Sequence, residues 1–294
     1  MMNAILIAGP TASGKSALAL ELARKADGVV INADSMQVYD ALHVLTARPS
    51  REEMDGVPHV LYGHVAAARK YSVGAWCHDV RAILADAAMA ERTAIYVGGT
   101  GLYFRALTDG LSAMPDIPDV IRDYWREALK QRGAEALHAE LKSRDPKSAD
   151  ILNANDSQRI VRALEVFEAS GQSIIDFQGK CGTALIDADE ARKIVLTPDR
   201  AKLKARINQR FERMMETGAV EEVRGLLSMG LSPDLPAMKA IGVREISALL
   251  SGSMTRAQAV ERASIATRQY AKRQMTWFRN QLDDTWVRTD PDFR

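Results

Sequence analysis

The stretch "GPTASGKS" at residues 9–16 decides the fold. It fits G-x-x-x-x-G-K-[ST] at every fixed position. The short apolar run "AILIA" precedes it, and "ALALELARKAD" follows, with Leu18 and Leu22 on one helical face. Strand, glycine loop and helix start in that order cradle a phosphate, because loop N–H groups and the helix N-terminus face an anion. Lys15 adds a mobile positive charge, and the Ser16 hydroxyl is the candidate ligand for Mg²⁺. Whether the phosphate is an energy source, a transferred group or a leaving group is not written in the loop itself.

Working outward, three more runs read as strands: "VVINADS" at 29–35, "AIYVGGTG" at 94–101 and "KIVLT" at 193–197. Gly28 reads as the stop of the helix after the loop. Strands alternating with helices predict an α/β fold with a parallel sheet covered on both faces. Ligands on such sheets sit beyond the carboxyl ends of the strands. The first three strands end in polar or glycine-rich residues, so those ends are expected to meet at one site. Between about Leu111 and Asp189 only helical patterns appear: "DVIRDYWREALKQRG", "AEALHAELKSRD" and "DSQRIVRALEVFEASG". The expected organisation is a P-loop core at 1–113 and 190–294, interrupted by a helical insertion at 114–189. In "LTPDRAKLKARINQRFERMMETG", Thr197 reads as N-cap and Gly218 as the stop, with Leu203, Ile207, Phe211 and Met214 as the apolar stripe. Arg206, Arg210 and Arg213 share the neighbouring face.

No apolar run approaches the roughly 20 residues that span a bilayer, and no secretory leader is expected. Cys77 and Cys181 form no CxxC or Cys/His pattern, and the five histidines show no ligand spacing. A cytosolic chain with reduced thiols and no zinc is expected. The net charge is only +1, yet residues 200–280 hold 15 Lys and Arg against 7 Asp and Glu. That surplus suits a polyanionic partner, nucleic acid above all, and equally a well-solvated helical surface. With no long apolar seam left over, a monomer is expected.

A nucleotide-hydrolysing P-loop protein needs a carboxylate on a second strand to hold Mg²⁺. "AIYVGGTG" ends in Gly98, Gly99, Thr100 and Gly101 and carries no acid. The acid stands instead in "NADSMQVY": Asp34 is a metal ligand, a general base or a helix cap. "GGTG" brings backbone close to a ligand and offers the Thr100 hydroxyl to a leaving oxygen. Gln158, Arg159 and Arg162 start one helix, where arginine ordinarily faces solvent. "KRQMTWFR" interleaves Lys272, Arg273 and Arg279 with Trp277 and Phe278, a mixture that suits phosphates and unpaired bases, although Trp277 reads first as core.

The set "GPTASGKS", "ADSMQVY", "TARP", "GGTGLY", "NDSQRIVRALEV", "INQRF" and "RQYAKRQMTWFR", in this order, resembles the bacterial tRNA dimethylallyltransferases over nearly the whole chain. The resemblance implies transfer of a five-carbon group from dimethylallyl diphosphate to the exocyclic amine of adenosine 37, beside the tRNA anticodon, with Mg²⁺. It implies that Gly9, Thr11, Ala12, Ser13, Gly14, Lys15, Ser16 and Arg210 hold the diphosphate. Asp34 is then the base, and Thr100 steadies the bridging oxygen. Asp34, Ser35, Met36, Gln37, Thr100, Arg122, Gln158, Arg159, Arg162, Lys272, Arg273 and Arg279 would meet the anticodon stem-loop. The alternatives are an isopentenyltransferase on free AMP or ADP and a P-loop small-molecule kinase. The chain departs from the family where a "GMDIGTAKP"-like run is usual: here residues 40–49 read "DALHVLTARP".

Overall fold

A computed structural model describes residues 4–179 and 182–290. Cys181 and part of the loop "GKCGTALIDADE" lie outside the described residues. The elements run β1 (Ala4–Ala8), α1 (Lys15–Lys25), β2 (Gly28–Asn32), α2 (Arg51–Met54), β3 (His59–Val60), α3 (Val73–Ala85), α4 (Ala87–Ala90), β4 (Thr93–Gly98), α5 (Gly101–Thr108), α6 (Asp119–Arg144), α7 (Pro146–Ile151), α8 (Ser157–Ser170), α9 (Ile174–Gln178), β5 (Arg192–Leu196), α10 (Arg200–Glu216), α11 (Ala219–Ser228), α12 (Val243–Leu250), α13 (Arg256–Gln281) and β6 (Val287–Thr289). Two compact units result: Met1–Thr108 with Leu185–Arg294, and Asp109–Ala184.

The first unit is built on one six-stranded sheet in the order β3-β2-β4-β1-β5-β6, every described pair parallel. Its central strands are apolar without alternation because both faces are covered: Leu6, Ile7 and Ala8 of β1 and Val29 and Ile31 of β2 have no exposed surface. Leu18, Ala19 and Ala23 of α1 close over Ile7, Val30, Ile95 and Ile194. Each such Leu or Ile contributes about 1.5–3 kcal/mol by leaving water. A second cluster gathers Val38, Tyr39 and Leu42 with Phe211, Met214, Val223 and Ile246.

Two local expectations are corrected. Thr197 does not cap α10, because its N–H still donates to the Thr289 carbonyl at 2.9 Å as a rung of the β5–β6 ladder. Asp199 caps instead, accepting from Ala201 N and Lys202 N. Gly28 does not stop α1: the left-handed turn falls on Asp27 (φ 42°). Gly28 is needed inside β2, where a Cβ would lie 2.8 Å from Ile95 Cδ1. Strands β3 and β6 were not expected, being edge strands of two and three residues, too short to show a period.

The second unit is helical. "DVIRDYWREALKQRG" and "AEALHAELKSRD" run together as α6, broken at Gly133, whose φ of 76° and ψ of 171° are not helical. α6 packs on α8 around Trp125, Leu137, Leu141, Ile160 and Leu164.

Candidate active site

The carboxyl ends of β1, β2 and β4 are adjacent, since β4 pairs with both of the others. The loop after β1 folds back tightly: a Cβ on Gly9 would lie 2.7 Å from Ser13 Oγ. Gly14, at φ 87°, is the N-cap of α1 and has no side chain to close the first N–H groups, which leaves them to an anion. Ser13 is fully buried and its hydroxyl has no hydrogen-bond partner among the described residues. Lys15 Nζ donates to the Pro10 carbonyl at 3.2 Å. Burial pushes its ammonium pKa down to about 8; the Asp34 charge draws it up and the Arg210 charge lowers it. Ser16 is exposed on the first turn of α1.

β2 ends at the buried Asn32, whose Oδ1 accepts the Asp34 N–H at 2.9 Å and whose Nδ2 donates to the Asp34 and Leu61 carbonyls. Asp34 is thereby fixed in a turn. Its Oδ1 accepts the Met36 N–H at 2.9 Å, and Oδ2 has no hydrogen-bond partner among the described residues. The helix-cap reading fails, because the next helix, α2, begins only at Arg51. The Asp34 charge raises the pKa of the half-buried Tyr62 and Tyr270 and of the buried Tyr103, in each case after desolvation, so these phenols stay protonated.

The glycines after β4 admit protein groups. A Cβ on Gly98 would meet the Ala33 carbonyl oxygen, one on Gly99 the Gln274 amide, and one on Gly101 the Trp277 ring, all within about 2.1 Å. At these three positions the missing side chain makes room for neighbouring protein groups. Thr100 Oγ1 accepts from Ser35 N at 2.9 Å and donates to Ser35 Oγ at 3.2 Å. Gln37 is turned inward, donating to the Thr46 and Ala47 carbonyls. Arg210 reaches across from α10 to donate to Thr11 Oγ1 and to the Thr46 carbonyl, each at 3.4 Å.

A cleft of about 320 Å³ brings some of these groups together. Thr11, Asp34 and Arg210 form its polar side, with Ala12, Ser35 and Met36 beside them. Leu45, Phe211, Met214 and Ile241 form its apolar side, and Tyr270 and Arg273 of α13 close it. Lys272 and Arg279 line a different cleft of about 710 Å³, together with Arg200, Lys204, Arg268 and Arg288 and no carboxylate. On the helical unit, Gln158 and Arg159 are exposed, and Arg159 pairs with Asp156 at 3.4 Å. Arg162 pairs with the buried Glu165 at 3.3 Å. Arg122 contacts Asp119 at 3.9 Å, and its Nε is buried without a hydrogen-bond partner among the described residues.

The variant loop at 40–49 is held by a residue that sequence reading missed. Glu222 accepts the N–H groups of His43, Val44 and Leu45 at 2.7, 2.6 and 3.0 Å. Its place in a helix first turn gave no hint, because the partner lies some 180 positions away. Gln274 was also missed, although it left a trace: with Ala271 and Phe278 it occupies the buried face of α13, the one polar residue among those three.

An IPP transferase family model matches residues 37–281, and an isopentenyl transferase model matches residues 2–64. The chain belongs to the IPP transferase family. Similar relatives include the tRNA dimethylallyltransferase of Rhizobium etli, 63% identical over 97% of this chain and 96% of that one. That of Agrobacterium fabrum is 60% identical over 98% and 97%. Among solved structures, the full-length tRNA isopentenylpyrophosphate transferase of Bacillus halodurans is similar with a TM-score of 0.70, at 32% identity over 99% of this chain and 90% of that one. A eukaryotic dimethylallyltransferase acting on tRNA gives 0.82 at 25% identity, over 99% and 75%. Membership of this family places the P-loop among transferases of prenyl groups. Among the described residues, no helix is long and apolar enough to cross a membrane.

Proposed function

We propose that this chain transfers a dimethylallyl group from dimethylallyl diphosphate to the exocyclic amine of adenosine 37 in tRNA, releasing diphosphate. One observation carries the reading. Asp34, whose Oδ2 has no partner among the described residues, shares one cleft with Thr11 and Arg210; Lys15 of the same loop feels the charges of both Asp34 and Arg210, while the strand beside β1 ends without an acid. That is an arrangement for placing a base opposite a leaving diphosphate, not for hydrolysing a nucleotide.

Asp34 Oδ2 accepts a proton from the amine as its nitrogen attacks C1 of the allylic chain. The C1–O bond breaks, and its electron pair leaves with diphosphate. Lys15, Arg210 and the first N–H groups of α1 stabilise the charge that develops on the leaving oxygens. Thr100 aids the bridging oxygen once its hydroxyl turns from Ser35 Oγ. The apolar side of the cleft keeps water from the allylic carbon. Among the described residues, no group of three His, Cys, Asp or Glu could hold a metal unaided. The exposed Ser16 hydroxyl on the first turn of α1 would be the protein ligand to a magnesium ion brought in with the diphosphate. Such an ion supplies further neutralisation of the leaving group.

The basic residues of α13, with Gln158, Arg159, Arg162 and Arg122 of the helical unit, are read as contacts to the anticodon stem-loop. Unpaired loop bases are cheap to flip into a cleft. The chain is read as acting as a monomer. The test offers labelled dimethylallyl diphosphate with either unmodified tRNA or AMP. Label in isopentenyladenosine at position 37 is expected. Label in AMP alone, or phosphate release from ATP without prenyl transfer, would overturn the reading in favour of a free-nucleotide transferase or a kinase.

A further inference from the structure

Gln274 joins the two loops between which the proposed reaction takes place. It is 5% exposed. Its Oε1 accepts the Thr11 N–H at 2.9 Å, and its Nε2 donates to the Gly99 carbonyl at 2.9 Å. The amide orientation is fixed by chemistry, since one partner can only donate and the other can only accept. Thr11 belongs to the phosphate loop after β1; Gly99 is the neighbour of Thr100 after β4. The two strands are in register side by side, Ala8 opposite Gly98, but beyond those residues no backbone ladder continues between them. Gln274 is the rung that continues it.

The packing around the amide makes this clamp specific. A Cβ on Gly99 would lie 2.0 Å from Gln274 Nε2, so glycine there admits the amide, while Asp34 Oδ2 lies on the same side at 3.4 Å from that position, an ordinary contact. Arg273, the preceding residue, lines the cleft, and Trp277, one turn on, packs on Gly101. One buried amide thus sets the position of the diphosphate loop relative to Asp34 and Thr100, and it does so from the helix that carries the basic face.

We infer that Gln274 is a positioning residue for prenyl transfer, holding the diphosphate loop and the Asp34–Thr100 side of the cleft in reacting register. This rests on the transferase reading above. A polar bond to Thr11 N that merely stabilised the fold would change stability without changing the balance of kinetic constants.

The experiment measures kcat, KM and thermal unfolding for the wild type, Gln274→Met and Gln274→Glu, with unmodified tRNA and dimethylallyl diphosphate. Gln274→Met keeps the length and loses both bonds. Its kcat is expected to fall about 10- to 100-fold, the usual consequence of reacting groups displaced by an ångström, with the KM for tRNA within about threefold of wild type. Gln274→Glu retains an acceptor for Thr11 but donates to Gly99 only when protonated. Its kcat relative to wild type is therefore expected to rise as pH falls from 8 to 5.5. Wild-type kcat in Gln274→Met, or a Gln274→Glu deficit that is independent of pH, would overturn the inference. Should Gln274→Met fail to fold, the pH series on Gln274→Glu decides alone. An inactive wild type under the same conditions would instead count against the transferase reading.

Discussion

Arg210 and Thr11 stand 199 positions apart in the chain and 3.4 Å apart in space, guanidinium to hydroxyl. Burial lowers the Arg210 pKa, and the Asp34 and Glu53 charges work against that shift. Arg210 is thus a partly desolvated cation at the edge of the phosphate loop. Arg210→Ala is expected to raise the KM for dimethylallyl diphosphate about tenfold to a hundredfold, since a hydrogen bond to a charged group is worth about 1.5–3 kcal/mol. Steady-state kinetics at saturating tRNA would show it, and an unchanged KM would remove Arg210 from the diphosphate site.

Asp34→Asn keeps an acceptor for the Met36 N–H and so keeps the turn. It removes the base. Single-turnover transfer is expected to slow by about 10²–10⁴, the usual worth of a positioned general base. Affinity for tRNA, read by filter binding, should stay within about threefold. A rate within a few-fold of wild type would mean that the proton leaves by another path.

The depressed pKa of Lys15 has a definite sign. Free lysine titrates near 10.4. Between about pH 8 and that value the unfolded chain binds more protons at this site than the folded one, so this group makes the ligand-free fold more stable as pH rises. Diphosphate binding should run the other way, because an anion holds the ammonium charged. At pH 8.5, binding is expected to take up protons, measurable by calorimetry in buffers of different ionisation enthalpy. The uptake should vanish in Lys15→Met; uptake that survives the substitution would place the titration elsewhere.

Arg273 and Arg279 face two different clefts. If both meet phosphates of the RNA, each alanine substitution should flatten the salt dependence of tRNA binding by about 0.7–0.9 in log–log slope. Only Arg273→Ala should also lower kcat, since only Arg273 lines the cleft of Asp34. A salt titration of binding with parallel turnover assays distinguishes the two.

Glu222→Gln leaves one acceptor oxygen where the three N–H groups of residues 43–45 now share two. Leaving a buried donor unmet costs about 1–3 kcal/mol, which should appear in the urea midpoint. The loop also carries Leu45 and Thr46 into the cleft, so the KM for substrate should rise with the loss of stability.

The P-loop context, the acid after β2 and the absence of one after β4 were legible because each lies within a few residues of a strand end that its own apolar run announces. The stripe of Leu203, Ile207, Phe211 and Met214 was legible for the same reason, being periodic. What could not be read were contacts between segments far apart in the chain: Glu222 under the variant loop, Gln274 between Thr11 and Gly99, and Trp277 over Gly101. Such contacts leave no period. Thr197 was misread because local cap chemistry lost to a strand rung from Thr289, another distant partner. The glycines of "GGTG" were recognised as sites of close approach, but the sequence does not say what approaches.

The bond from Thr11 to Gln274 spans 263 residues. The phosphate loop's outer N–H has no partner until the chain through Gln274 has been made. The loop therefore gains its final anchor only after the last long helix has docked. A nascent chain halted anywhere before α13 carries a recognisable phosphate motif and no finished cleft. Completion of the cleft is accordingly tied to α13, which carries Tyr270, Arg273 and Gln274, and not to the phosphate motif alone.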